Sequence, residues 1–230
     1  MKKKAMTDTA LLVIEQDTIP DSPRNWDNLG KMVCWHSRYS LGDKHTHDSP
    51  RDFLMSLAVD YDESDRDLDE LKDYELMEII DPHIVILPLF LYDHSGITMN
   101  TTGFSCLWDS GQIGWIYATK EAFRNETGYT EEELFKGGKA KEMLRNEVKV
   151  YDQYLTGDVY GFTFAKIDTE KLGKYLELIG AERDDLSEDE LNRFLTDKDS
   201  YWGFYGSNPV ENGIAENIPK EYHHMFDALQ

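Results

Sequence analysis

Apolar and polar positions alternate along this chain in blocks of different period. Ala10–Ile14 (ALLVI) is a short apolar run that stops at Glu15, Gln16 and Asp17, and it predicts a first strand. Residues 18–30 (TIPDSPRNWDNLG) hold two prolines, two asparagines and a glycine, the composition of an ordered loop. Lys31–Tyr39 (KMVCWHSRY) is rich in β-formers and predicts a second strand. A polar loop over 41–50 carries His45 and His47. Ser49-Pro50 opens a helix, since proline suits the first helical position and serine before it can cap. Phe53, Leu54, Leu57 and Ala58 then share one face. After a break over 61–64, a second, acidic helix is predicted from Asp65 to Ile80 and is ended by Asp81-Pro82.

The centre of the chain has a different texture. His83–Tyr92 (HIVILPLFLY) is continuously apolar, as a strand buried on both faces should be, and Pro88 marks a bulge or an edge in it. Turns at 93–96 and 108–111 separate it from a hairpin partner over 97–102 and a strand over 112–118. Thr119 caps a short helix over 120–125, and Thr130 with Glu133 has capping-box spacing. Ala140, Met143, Leu144, Val148, Tyr151 and Leu155 recur at helical spacing, so 139–155 is the clearest helix, closed by Gly157. A strand over 158–167 follows, then a helix capped by Asp168 or Thr169 and running to 179. Ser187 with Glu190 starts another helix, 201–205 is an aromatic strand, and 220–229 is a terminal helix. This loose alternation, with no fixed-period repeat, predicts one α+β domain over 1–230. A mixed or antiparallel sheet is covered by helices, and the acidic helical segments fall at about 50–81 and 168–200.

Charge sharpens the picture. The formal net charge is −21 on 230 residues, unevenly placed. Residues 51–82 carry 12 acids against 3 bases and 157–230 carry 16 against 7, while the rest nearly balances. A content of 40% hydrophobic and 12% aromatic residues supports a packed core. Binding of nucleic acid or an anionic membrane is disfavoured, because phosphate recognition depends on Lys and Arg. A basic protein surface is the natural partner. The longest apolar run, Ile84–Tyr92, is too short to span a bilayer, and the basic start is not followed by an apolar stretch of signal-peptide length, so a cytoplasmic location is expected. Cys34 and Cys106 sit in apolar, aromatic contexts and read as buried free thiols. Two cysteines make no disulfide framework, and no CxxC suggests structural zinc.

Chemistry-bearing clusters are few. Asp43, His45, His47 and Asp48 fall within six positions, and His-x-His on an extended segment puts both rings on one side, which suits a metal. A polar solvated loop has the same composition. Asp93-His94-Ser95 follows the most apolar strand, a common place for enzyme chemistry, but equally reads as a hairpin turn with local side-chain hydrogen bonds. No Gly-x-Ser-x-Gly surrounds a serine, and no motif orients a histidine onto Cys106. The acids from Asp60 and from Asp65 resemble the start of a calcium loop, but neither frame supplies Gly at position six or Glu at position twelve. Glycine patterns for nucleotide binding are missing.

Several longer phrases form a set: DSPRNWDNLG (21–30), MVCWH (32–36), LGDKH (41–45), LFLYDHSGIT (89–98), WDSGQIG (108–114), YDQYLTG (151–157) and WGFYG (202–206). In these the chain resembles bacteriophage-encoded proteins of unknown function. The resemblance implies a phage or mobile-element accessory protein acting in the host cytoplasm, and it carries over no catalytic residue.

The leading expectation is an acidic, non-enzymatic protein binder without cofactor or metal. It acts as a DNA mimic that inhibits a host defence or nuclease complex, with carboxylates standing in for phosphates. Its contact candidates are Asp60, Asp62, Glu63, Asp65, Asp67, Asp69 and Glu70, with Asp184, Asp185, Glu188 and Asp189. The competing reading of each is a solvated helix face. The alternative function is a metal-dependent hydrolase using Asp43, His45, His47 and Asp93 or His94.

Overall fold

The computed structural model describes residues 2–64, 66–106 and 108–229. The fold is α+β with antiparallel sheets covered by helices. The strands sort into two four-stranded sheets rather than one, each in its own compact unit: 22–156, and 1–21 together with 157–230.

The unit 22–156 holds β3 (Lys31–Cys34), β4 (Ile84–Asp93), β5 (Ile97–Asn100) and β6 (Ser110–Thr119), in the order β3-β6-β4-β5. Its helices are α1 (Pro50–Val59), α2 (Asp73–Ile80), α3 (Lys120–Glu126) and α4 (Lys139–Thr156). The continuous apolarity of β4 is explained by burial on both faces. Val85, Leu87, Leu89 and Leu91 pack with Leu144, Val148 and Tyr151 of α4. Ile84 and Ile86 pack with Phe53, Leu54 and Ala58 of α1 and with Leu76 and Ile80 of α2. Pro88 lies where β4 has β6 on one side only, because β5 reaches no further than Phe90, and the register with β6 shifts just after it. Ser49 caps α1 by accepting from the Asp52 N–H, and Thr119 caps α3 by accepting from the Ala122 N–H.

The unit formed by 1–21 and 157–230 holds β1 (Lys2–Met6), β2 (Ala10–Gln16), β7 (Val159–Ile167) and β8 (Leu195–Tyr205), in the order β1-β2-β7-β8. One face buries Ala5, Leu12, Ile14, Phe162 and Phe164 against Ile214, Ile218 and Met225. A smaller cluster joins Ile167 to Leu172 of α5 (Thr169–Ile179) and Leu191 of α6 (Glu188–Leu191). The terminal segment Lys220–Ala228 is a 3-10 helix.

Two acidic segments depart from the sequence reading. The helix expected from Asp65 begins only at Asp73. Between α1 and α2 the chain is a loop with one 3-10 turn, Leu68–Glu70. Aspartates there bond their own backbone and neighbours instead of propagating a helix: Asp62 accepts from the Ser64 N–H and Asp67 from the Asp69 N–H. In the second segment helix ends by Phe194, and residues 195–200 belong to β8, held by pairing with β7 despite their charge. Among the described residues no helix is long and apolar enough to cross a membrane.

Candidate functional site

The acid-rich loop 60–72 is shaped by Arg51 of α1. Its guanidinium reaches the Asp73 carboxylate at 2.7 Å and donates to the carbonyls of Asp69 at 2.9 Å and Leu71 at 2.6 Å. Leu68 and Leu71 pack on the core cluster beneath. Asp62 is spent internally: it pairs with Arg66 at 3.1 Å and accepts from the Ser64 hydroxyl. The Arg66 hydrogen bond, with help from Ser64, holds its carboxyl below the usual range. Asp60, Glu63, Asp67, Asp69 and Glu70 are exposed and form no ion pair among the described residues. Asp65 lies outside the described residues.

The second acidic block lies in the other unit and is more fully used. Asp185 accepts from the Glu182 N–H at 2.9 Å. Glu188 pairs with Lys4 at 2.9 Å, and that hydrogen bond, with the charges of Lys4 and Lys2, pulls its carboxyl down. Asp184 and Asp189 are exposed.

The histidines and aspartates of the hydrolase alternative are split among separate structural bonds. Arg24 is the hub of a network inside the unit 22–156, with only 6% of its side chain exposed. It grips Asp43 in bidentate fashion (Nε–Oδ1 3.0 Å, Nη2–Oδ2 2.6 Å), reaches Glu147 of α4 at 3.1 Å and donates to the Gly30 carbonyl at 2.6 Å. Asp43 also accepts from the Met32 N–H at 2.8 Å, and Glu147 from the Gly30 N–H at 2.9 Å. Burial works to lower the Arg24 pKa, but Asp43 and Glu147 outweigh it and the guanidinium is held more firmly charged than usual. His45 Nε2 lies 3.0 Å from the Cys34 carbonyl, and His47 Nδ1 lies 3.7 Å from Asp52. Among the described residues no three His, Cys, Asp or Glu side chains converge where they could hold a metal ion.

The sequence reading missed a groove at one end of this unit's sheet. Residues 34–41 and 43–45 line an open groove of about 940 Å³, and an adjoining one of about 330 Å³ shares His36 and Arg38 with it and adds Asp93, Trp108 and Asp109. Arg38 pairs with Asp93 and lies 5.5 Å from the Tyr39 ring centroid. His36 stacks on Tyr39 at 5.0 Å and accepts from the backbone N–H groups of Arg38 and Tyr39, which fixes the loop. Between the lining residues Leu41 and Asp43, Gly42 has a φ of +71° that suits glycine, and a Cβ there would fall 2.7 Å from the Met32 carbonyl oxygen. The phrases read in the sequence as 32–36, 41–45, 89–98 and 108–114 meet here, and so do Asp43, His45 and Asp93 from the two clusters singled out in the sequence.

Neither thiol is set up as a nucleophile. Burial, then Asp43, pushes the Cys34 thiol up to about 12. Cys106 Sγ faces Asp109 at 3.6 Å, and His94 meets the same carboxylate at 3.5 Å from its own side. Thiol and imidazole each contact the Asp109 carboxylate, and among the described residues no imidazole is recorded against either sulfur, as thiolate activation needs. Both cysteines are free and half-buried rather than fully buried.

A scan against protein-family models, a search of curated proteins and a search of solved structures each find no match to this chain.

Proposed function

We propose that this protein is a non-enzymatic binder whose acidic loop 60–72 docks on a basic protein surface. The observation that carries the reading is the Arg51 clamp: five exposed carboxylates without an ion pair among the described residues stand on a loop that Arg51 holds at its C-terminal end through Asp69, Leu71 and Asp73. Preorganised charge costs less ordering on binding, and its field accelerates encounter with a cationic partner. Asp184 and Asp189 add a second exposed acidic patch on the other unit. The resemblance to phage-encoded proteins supports the finer proposal, a DNA mimic that occupies the nucleic-acid channel of a host defence or nuclease complex in the host cytoplasm.

The test is capture of bacterial lysate proteins on immobilised protein at low and high salt. The comparison is with a loop-neutralised variant carrying D60N, E63Q, D67N, D69N and E70Q. Expected is retention of a basic nucleic-acid-binding protein by the native chain only, released by salt and displaced by DNA. Equal capture by the variant, or capture that DNA and salt leave untouched, overturns the reading.

A further inference from the structure

We propose that the groove formed by residues 34–41 and 43–45 with Asp93, Trp108 and Asp109 is a binding site for a neutral saccharide. This site is separate from the acidic loop and does not rest on the reading above. Its two adjoining parts, about 940 and 330 Å³, fall in the size range of small-molecule sites, about 300–1,000 Å³.

The chemistry favours a polyol. Trp108 is 96% exposed, so a whole indole face is offered to solvent at the groove edge. Large aromatic side chains with a free face suit the flat, C–H-lined face of a sugar ring. Beside it stand Arg38 and Asp93, a donor and an acceptor held together as an ion pair. Arg38 has five donors and spends one on Asp93. The neighbouring contacts are slack: Tyr39 hydroxyl to Asp93 at 3.4 Å and His94 to Asp109 at 3.5 Å are longer than good hydrogen bonds, so these groups keep capacity for ligand hydroxyls.

Charge decides against an anionic ligand. Arg38 is already neutralised by Asp93, Asp109 adds a carboxylate, and the net charge of −21 opposes approach of a phosphate. Lys44, exposed at the far part of the groove, is the one lining cation without an ion pair among the described residues. A paired Arg–Asp beside an indole suits a ligand that presents both donors and acceptors and carries no charge.

The experiment is an array of neutral glycans probed with the full chain, followed by titration of a retained glycan against tryptophan fluorescence. AMP and inorganic phosphate are titrated in parallel. Expected is saturable binding of a neutral glycan, weakened about tenfold or more by Trp108→Ala and by Asp93→Asn, with the melting temperature of Trp108→Ala unchanged. Failure to retain any neutral glycan overturns the proposal. So does binding that survives Trp108→Ala, or a response to AMP or phosphate alone.

Discussion

Replacing Arg24 by methionine tests the structural account most directly. The substitution keeps much of the side-chain volume but removes the one cation paired with Asp43 and Glu147 among the described residues, and it strips a donor from the Gly30 carbonyl. The Asp43 and Glu147 side chains are themselves only 26% and 17% exposed, so both carboxylates are left largely desolvated and close to one another. Removing one partner of such a buried ionic network costs about 3–5 kcal/mol. The triple variant R24M/D43N/E147Q keeps an amide oxygen to accept from the Met32 and Gly30 N–H groups but carries no orphan charge, so it should recover roughly half or more of that loss. Urea unfolding followed by tryptophan fluorescence reads the difference, since Trp35 and Trp115 pack together inside this unit. The R24M variant should also gain stability as pH falls. Protonation removes the orphan charges that the folded state would otherwise keep desolvated, so low pH favours that state. A loss below about 1 kcal/mol for R24M, or a triple variant no more stable than R24M, refutes the assignment of Arg24 as the hub.

Two further outcomes follow. Gly42→Ala should destabilise by roughly 1–3 kcal/mol in the same unfolding assay, because φ is +71° and the new methyl group would meet the Met32 carbonyl at 2.7 Å; an unchanged midpoint would disprove that crowding. Cys34, with its thiol near 12, should alkylate with iodoacetamide at mildly alkaline pH far more slowly than it does in the urea-unfolded chain, by about a thousandfold in thiolate fraction. Because the folded pKa is raised, Cys34 also contributes stability that is present below pH 9 and lost as pH rises towards 12, a decline that Cys34→Ala should lessen.

Local signals were legible in the sequence wherever a side chain answers to its own backbone. Ser49, Thr119, Asp168 and Ser187 all cap the helices their spacing predicts, and β4 is buried on both faces as its unbroken apolarity implies. What escaped was structure set by partners distant in the chain. β1 is three lysines before an alanine and shows no alternation. It is a strand because it pairs with β2 and buries Ala5, and its lysines are what an outer strand carries to discourage further pairing. The first part of β8 is polar for the same reason, being held by β7 rather than by a core of its own. The acid density of 65–72 looked helical because Leu68 and Leu71 have helical spacing, whereas these two leucines anchor a loop. The groove and the Arg24 network join residues 19 to 123 positions apart, and no local pattern records such meetings.

The structure also changes how the net charge of −21 should be weighed. Charge count alone treats every carboxylate as available, yet many of the acids first singled out do internal structural tasks. Asp62 binds Arg66, Asp67 and Asp185 accept from backbone N–H groups, and Glu188 meets Lys4. A carboxylate already satisfied in this way offers less to a partner, because engaging it first breaks a bond the fold uses. Of those candidate acids, the ones that do no such work are mostly Asp60, Glu63, Asp69 and Glu70, on a loop whose C-terminal end Arg51 holds. In the groove of the same unit, Asp93 is matched by Arg38 and Asp109 is approached by His94. One unit therefore presents two surfaces of different electrostatic character, one with unspent negative charge and one where the Asp93 charge is matched by Arg38. Two partners of different chemistry, one cationic and one neutral, fit that division better than a single partner recognised by total charge.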